Sequence, residues 1–181
     1  MQLYHIDPIK QIVEPIELKI EANTFYTYFG SLLIDELPTL ANHTIYTDAN
    51  ALSEKKRPFF IGEQIVLGDA LILGRNGFEE CDATISIDEL KMLVHYDVPQ
   101  FYLDVFELLS QTDVNLYRAF YVDHNGESME LNIAWVLYFF NIADERTRQY
   151  FVNELKKVIE KGDDVVAFMK KMAAAALRAA G

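Results

Sequence analysis

Three histidines lie within two positions of an acidic residue, and such pairs are the first candidates for metal binding or acid–base chemistry. The pairs are His5 with Asp7, His95 with Asp97, and Asp123 with His124. A metal site needs three or four ligands that converge in space, and neighbouring positions alone do not supply them. On a strand, His5 and Asp7 would share a face, which makes this pair the strongest. We interpret all three pairs as surface histidines beside solvated acids.

Cys81 is the single cysteine and the only candidate sulfur nucleophile. Glu79, Glu80 and Asp82 surround it, and their negative charge disfavours the reactive thiolate. The glycines between positions 62 and 77 form neither a phosphate-binding loop nor a dinucleotide-binding fingerprint, and no Gly-x-Ser-x-Gly elbow is present. The sequence therefore predicts no catalytic residue, no metal and no cofactor.

The charge of the chain narrows the classes of partner. Residues 1–142 carry 8 Lys and Arg against 22 Asp and Glu, whereas residues 143–181 carry 8 against 6. A strongly negative surface repels phosphate backbones and anionic lipids, so we expect neither nucleic acid nor membrane as a partner. The one basic run of the first half, residues 55–57, is typical of a solvated loop.

Cysteine content and the first residues indicate a cellular compartment. One cysteine excludes an internal disulfide and fits a reducing environment. The first eleven residues, MQLYHIDPIKQ, lack the basic and apolar regions of a signal peptide. We expect a cytoplasmic protein.

The chain is 51% apolar, enough for one well-cored domain, and the patterns predict an α+β fold. We predict a single domain over residues 1–181. Its N-terminal half, residues 1–85, is rich in antiparallel strands and hairpins. Residues 86–181 are predicted to form helices, then a hairpin, then further helices. We expect the N-terminal half to pack against the C-terminal amphipathic helices.

Local patterns predict the elements of the first half. Strict alternation of apolar and charged residues predicts a strand over residues 16–21. Aromatic and β-branched residues favour a second strand over residues 24–34, and residues 35–58 show no period, which indicates a loop. Asn76-Gly77 predicts a two-residue turn between two strands, with Ile72 opposite Cys81.

Capping signals predict the helices of the second half. Ser86 and Glu89 form a capping box, and a further helix starts near Pro99. A third helix is predicted from Asp144 to Glu160, with Gly162 as its stop. A last helix follows Asp163-Asp164, which supply an N-cap and favourable charge.

A second Asn-Gly pair, Asn125-Gly126, predicts a hairpin over residues 116–135. Counting outward from a two-residue turn gives one apolar face, on which Leu116 opposes Trp135. We therefore predict a core centred on Trp135. The other face carries Tyr117, Tyr121 and Glu130, and we take these three as candidate protein-binding residues because tyrosine is enriched where proteins meet. A covering helix would instead make both tyrosines part of the core edge.

The hairpin and the helices that follow it resemble the C-terminal half of type III secretion chaperones. The resemblance covers about residues 116–170 and is one of pattern: strand, Asn125-Gly126, strand, then amphipathic helices in a small acidic protein. It implies an escort function and transfers no site residue. The β-rich residues 1–85 do not follow the helix-first layout of that family.

Two classes of function follow. The preferred one is a non-catalytic protein-binding or regulatory protein, of the escort, inhibitor or immunity type, whose partner is another protein, expected to be basic; a homodimer stays open. The alternative is a small enzyme whose site is assembled from distant histidines and acids. A deep pocket that holds His5 or His95 with converging acids would favour the enzyme.

Overall fold

The computed structural model describes residues 1–40, 42–123 and 125–180. The chain forms two compact units, Met1–Val98 and Pro99–Gly181. Antiparallel strands dominate the first and helices the second, which confirms the α+β class. Folding of the whole chain as a single domain stays a prediction.

The first unit is built on an antiparallel sheet. In chain order it contains β1 (Gln2–Asp7), β2 (Ile12–Glu17), α1 (Thr24–Phe29), β3 (Ile34–Leu40), β4 (His43–Asp48), β5 (Pro58–Ile61), β6 (Gln64–Leu67), β7 (Ala70–Asn76), β8 (Glu79–Cys81), α2 (Ile87–Leu93) and β9 (Val94–His95). The main sheet has the order β2-β1-β7-β4-β3, and β8 pairs with the end of β7 beyond β1. Strand β5 lies between β6 and β9 in a smaller sheet.

Helix α1 replaces the strand predicted over residues 24–34. Phe25, Tyr28 and Phe29 recur at helical spacing and pack on a buried cluster of the sheet that includes Tyr46. The rings of Phe25 and Tyr46 stack with their centroids 4.3 Å apart. Gly30, at φ 65°, ends the helix. Burial of one helical face therefore outweighs the β propensity of these residues, which is weak and depends on context.

Two further predictions for the first half are wrong. The strand predicted over residues 16–21 is instead β2, which ends at Glu17. Residues 35–58, predicted as a loop, contain most of the β3–β4 hairpin. Strand β4 is buried along its whole length although four of its six residues are polar or charged. Its polar groups have partners: the Thr47 hydroxyl donates to the Leu67 carbonyl at 2.8 Å, and His43 Nε2 accepts from the Thr84 amide at 3.0 Å. A strand buried on both faces shows no alternation, so the sequence hid it.

The β7–β8 hairpin exists in a different register. Gly74 pairs with Cys81, and Asn76 pairs with Glu79. The two turn residues are therefore Gly77 and Phe78 instead of the predicted Asn76 and Gly77. The predicted partner of Cys81, Ile72, is already paired with β1 on that side of β7. Strand β8 therefore begins its pairing two residues further along.

Local capping in this unit follows the sequence. Ser86 accepts from the Glu89 amide at 3.2 Å, and the Glu89 carboxylate accepts from the Ser86 amide at 3.0 Å. The predicted capping box of α2 is thus confirmed. The basic run at residues 55–57 lies in a loop before β5, as expected.

The second unit packs helices around one aromatic ring. It contains α3 (Gln100–Leu109), β10 (Ala119–Val122), β11 (Ser128–Leu131), α4 (Ile133–Asn141), α5 (Glu145–Lys161) and α6 (Val165–Ala180). Phe151 of α5 is fully buried, and its ring lies 4.5 Å from Phe140, 5.6 Å from Phe168 and 5.8 Å from Phe101, centroid to centroid. These aromatic contacts join α3, α4, α5 and α6. Among the described residues, no helix is both long enough and apolar enough to cross a membrane.

Helix ends in this unit match their sequence signals. Asp144 caps α5 by accepting from the Thr147 amide at 2.7 Å, and Gly162 closes it at φ 71°. Asp164 accepts from the Ala167 amide at 3.0 Å at the start of α6. Helix α3 begins at Gln100, so Pro99 occupies the N-cap and not the first helical position that its sequence signal indicated.

The predicted core around Trp135 is wrong. Residues 133–141 form helix α4 instead of a strand, because Asn132 caps it by accepting from the Trp135 amide at 3.0 Å. Trp135 is 47% exposed. Other residues of α4 face the core instead of Trp135: Ile133, Ala134, Val136, Leu137 and Phe140.

Candidate functional site

The β10–β11 hairpin is one residue out of the predicted register. Phe120 pairs with Glu130 and Tyr121 with Met129. The Asp123 carboxylate sets this register by accepting from the amides of Asn125 and Glu127 at 2.8 and 2.9 Å; these backbone bonds, the one from Glu127 first, lower the pKa of Asp123. The connection is therefore longer than a two-residue turn. A slip of one residue moves every side chain to the opposite face.

The structure does not bring the three predicted site residues together on one face. Tyr117 precedes β10 and is only 4% exposed, so the expectation that it projects from the hairpin face is wrong. Tyr121 lies on the side of the hairpin next to α6, where Lys170 Nζ stands 4.1 Å above its ring. Glu130 is exposed on the opposite face.

The outer face of the hairpin carries apolar side chains. Phe120 and Val122 are 62% and 66% exposed, on the same face as Glu130 because Phe120 and Glu130 are direct cross-strand partners. Ala119, one position away from Phe120, is buried. The alternation shows that one face is packed and the other is open to solvent.

Helix α4 presents a second apolar surface, which we call the α4 stripe. Its members recur at positions i, i+3, i+4 and i+7: Trp135, Tyr138, Phe139 and Ile142. The rings of Trp135 and Phe139 meet edge to face at 4.4 Å, and those of Tyr138 and Phe139 at 5.9 Å. Ile142, just after the last helical residue, is 64% exposed. The ring contacts join Trp135, Tyr138 and Phe139 into one cluster, in which Trp135 is exposed and the other two side chains are half-buried.

The sequence held a signal for the α4 stripe that strand reasoning missed. An apolar run whose residues divide into two sets at helical spacing can form a helix that is apolar on both sides. Asn132 in front of the run is a good N-cap residue. Taken together, these features would have predicted an outward set at Trp135, Tyr138, Phe139 and Ile142.

The candidate chemistry of the first unit lies around His5. Its Nδ1 is 3.2 Å from a carboxylate oxygen of Glu14 on β2, and its Nε2 is 4.0 Å from Asp69, just before β7. The other member of the predicted pair, Asp7, instead accepts from the Ile9 and Lys10 amides and binds the Lys10 ammonium at 2.8 Å. This binding, with the Lys10 side chain as its main cause, lowers the pKa of Asp7.

The remaining sequence candidates are not brought together. His95 pairs with Phe60 in the small sheet, Cys81 is a half-buried free thiol at the end of β8, and His124 lies outside the described residues. Within the described ranges, no group of three or more His, Cys, Asp or Glu is arranged to hold a metal ion.

No protein-family model matches the chain, and neither a curated protein nor a solved structure matches it. The resemblance to type III secretion chaperones therefore gains no support from relatives.

Proposed function

We propose that this is a non-catalytic cytoplasmic binding or regulatory protein that holds a basic protein partner through the second unit. The observation that carries the proposal is the α4 stripe, a partly exposed cluster of three aromatic rings with the exposed Ile142 close to it in the chain. Large exposed apolar patches mark interaction sites in soluble proteins. Trp and Tyr are the residues most enriched among those that dominate binding energy.

The acidic part of the second unit favours a basic partner. Residues 99–142, which contain α3, the hairpin and α4, carry one Arg against six Asp and Glu, whereas residues 143–181 carry 8 Lys and Arg against 6 Asp and Glu. Glu130 stands beside Phe120 on the outer hairpin face. A partner that presents apolar side chains within a basic surface complements this arrangement, and complementary charge speeds association.

A second copy of the chain is the less favoured occupant. Each chain has a formal net charge of −12, so two copies repel each other before any apolar contact forms. A basic partner is instead attracted by the negative charge of the chain. A titration of the oligomeric state against salt separates the two, since salt screens repulsion between copies and weakens attraction to a basic partner.

The test starts from a partner captured on the immobilised protein, purified and then measured against variants. Trp135→Ser combined with Ile142→Ser removes the two most exposed ends of the α4 stripe. Loss of an interface anchor costs about 2 kcal/mol or more, so Kd should rise about 30-fold or more. Phe78→Ser is the matched control, because Phe78 is an equally apolar, exposed residue at the tip of the β7–β8 hairpin in the first unit.

Trp135 is the only tryptophan and reports on the stripe directly. In the free protein, a soluble quencher should reach it, and the purified partner should protect it and shift its emission to shorter wavelength. The proposal fails if the partner binds the stripe variant as tightly as wild type, or if Phe78→Ser weakens binding equally. It also fails if capture retains no protein whose binding depends on the stripe.

A further inference from the structure

The first unit contains a cleft of about 360 Å³, independent of the α4 stripe. The β1–β2 turn, α1, the basic loop and the residues before β7 form its walls. Ile9, Tyr28 and Phe29 supply an apolar and aromatic side. Charged groups of both signs line the same space: Lys55, Lys56 and Arg57 are basic, and Asp48, Glu54 and Asp69 are acidic. This volume is at the lower end for ligand pockets, so the cleft suits a small molecule.

Among the described residues, the Asp69 carboxylate accepts no hydrogen bond, although the charges of His5, Lys56 and Lys10 favour its ionised form. Burial raises the pKa of the Asp69 carboxyl, because burial disfavours its charged form. Behind Asp69, His5 is 9% exposed and its Nε2 is buried without a hydrogen-bond partner. Burial, together with the charges of Asp69, Glu14 and Asp7, raises the pKa of Tyr28 to about 12. A cation placed beside Asp69 and Tyr28 would relieve this negative potential.

The basic end is held in place by backbone bonds. The Lys56 amide donates to the Ala51 carbonyl at 2.9 Å, and the Gly68 amide donates to the Arg57 carbonyl at 3.0 Å, next to Asp69. Lys56 is neutralised by Glu54 at 2.9 Å. The Arg57 guanidinium forms no ion pair with any described residue. An anionic group would give Arg57 a partner, and a guanidinium binds carboxylates in a bidentate manner.

We propose that this cleft binds a small zwitterion with an apolar side chain, as in a free aromatic or large aliphatic amino acid. The ammonium group lies against Asp69 and the Tyr28 side, the carboxylate against Arg57 and Lys55, and the side chain against Ile9 and Phe29. The walls thus offer acidic, basic and apolar residues to the three parts of the ligand. A simple anion or a simple cation would satisfy only one end.

The test uses the full chain and a matched set of probes in calorimetric titration. L-phenylalanine carries both charges, phenethylamine lacks the carboxylate, and 3-phenylpropionate lacks the ammonium. A site that pairs polar groups rejects analogues that leave them unpaired, so L-phenylalanine should bind at least 10-fold tighter than either analogue. Equal binding of 3-phenylpropionate or of inorganic phosphate would show an anion site instead, and would overturn the proposal. So would binding of none of the probes.

Two substitutions assign the ends. Asp69→Asn should weaken L-phenylalanine binding at least 10-fold while leaving 3-phenylpropionate binding unchanged, which also shows that the variant is folded. Arg57→Gln should weaken L-phenylalanine and 3-phenylpropionate but not phenethylamine. Asp88→Asn and Arg118→Gln remove the same charges away from the cleft and should change nothing. Equal effects of Asp69→Asn and Asp88→Asn would refute the assignment.

Discussion

Truncation of Trp135 should cost much less stability than truncation of Phe140, although both lie on α4 and both are large aromatic residues. Trp135→Ala in a fully buried setting would cost about 3–5 kcal/mol. Trp135 is 47% exposed, so only about half of that transfer and packing energy is at stake, roughly 2 kcal/mol. Phe140 is 5% exposed and meets the central ring of Phe151, and its truncation should cost the full 3–5 kcal/mol.

Urea unfolding followed by far-ultraviolet circular dichroism measures both variants, since Trp135→Ala removes the only tryptophan. Trp135→Phe is the control for ring contact with Phe139 and should cost less than about 1 kcal/mol. If Trp135→Ala costs as much as Phe140→Ala, Trp135 is a core residue. In that case Trp135 cannot be the exposed anchor of the α4 stripe, and the proposed binding surface is refuted.

Three other predictions test the fold and the cleft. Gly74→Ala would place a Cβ 2.2 Å from the Asp82 carbonyl oxygen, so it should lower the free energy of unfolding in urea by about 3 kcal/mol. The control Gly77→Ala has open space around the new Cβ but a φ of 64°, and it should cost only about 1 kcal/mol. Equal costs of the two substitutions would contradict the close packing at Gly74. Asp144→Ala should lower the thermal midpoint at pH 7. The amide and hydroxyl of the capped turn lower the pKa of Asp144 below its usual 3.8, so this loss should disappear as pH falls through the folded-state pKa. Asp69→Asn should stabilise the protein at pH 7 and have no effect below about pH 3, because a raised pKa penalises the folded carboxylate only above its usual 3.8; destabilisation at pH 7 would contradict this.

Elements specified by neighbouring residues were predictable from the sequence. The capping box at Ser86 and the stop at Gly162 depend on groups within one or two turns of a helix, so local spacing determines them. The register of β8 was not predictable in this way, because β1, far away in sequence, occupies the side of β7 that Cys81 would otherwise reach.

The two candidate sites depend on contacts between residues that are distant in sequence, so local patterns did not predict them. The α4 stripe was missed because an unbroken apolar run fits a buried strand or a helix equally well, and the choice rests on the Asn132 cap and on packing against Phe151. The cleft was missed because its walls come from four separate segments: the β1–β2 turn, α1, residues 48–57 and residues 68–69. Only the fold of the first unit brings these segments together.

The outer strands of the main sheet, β2 and β3, limit how a partner can bind to this sheet. Strand β2 carries Pro15, which has no amide hydrogen to donate, and exposed Glu14 and Glu17, while β3 places Glu36 on its exposed side. Charged residues and proline at an edge discourage another strand from joining it. Main-chain recognition of an extended peptide by β-augmentation is therefore disfavoured on this sheet. A partner of this sheet would therefore be selected through side-chain contacts, which single substitutions can weaken.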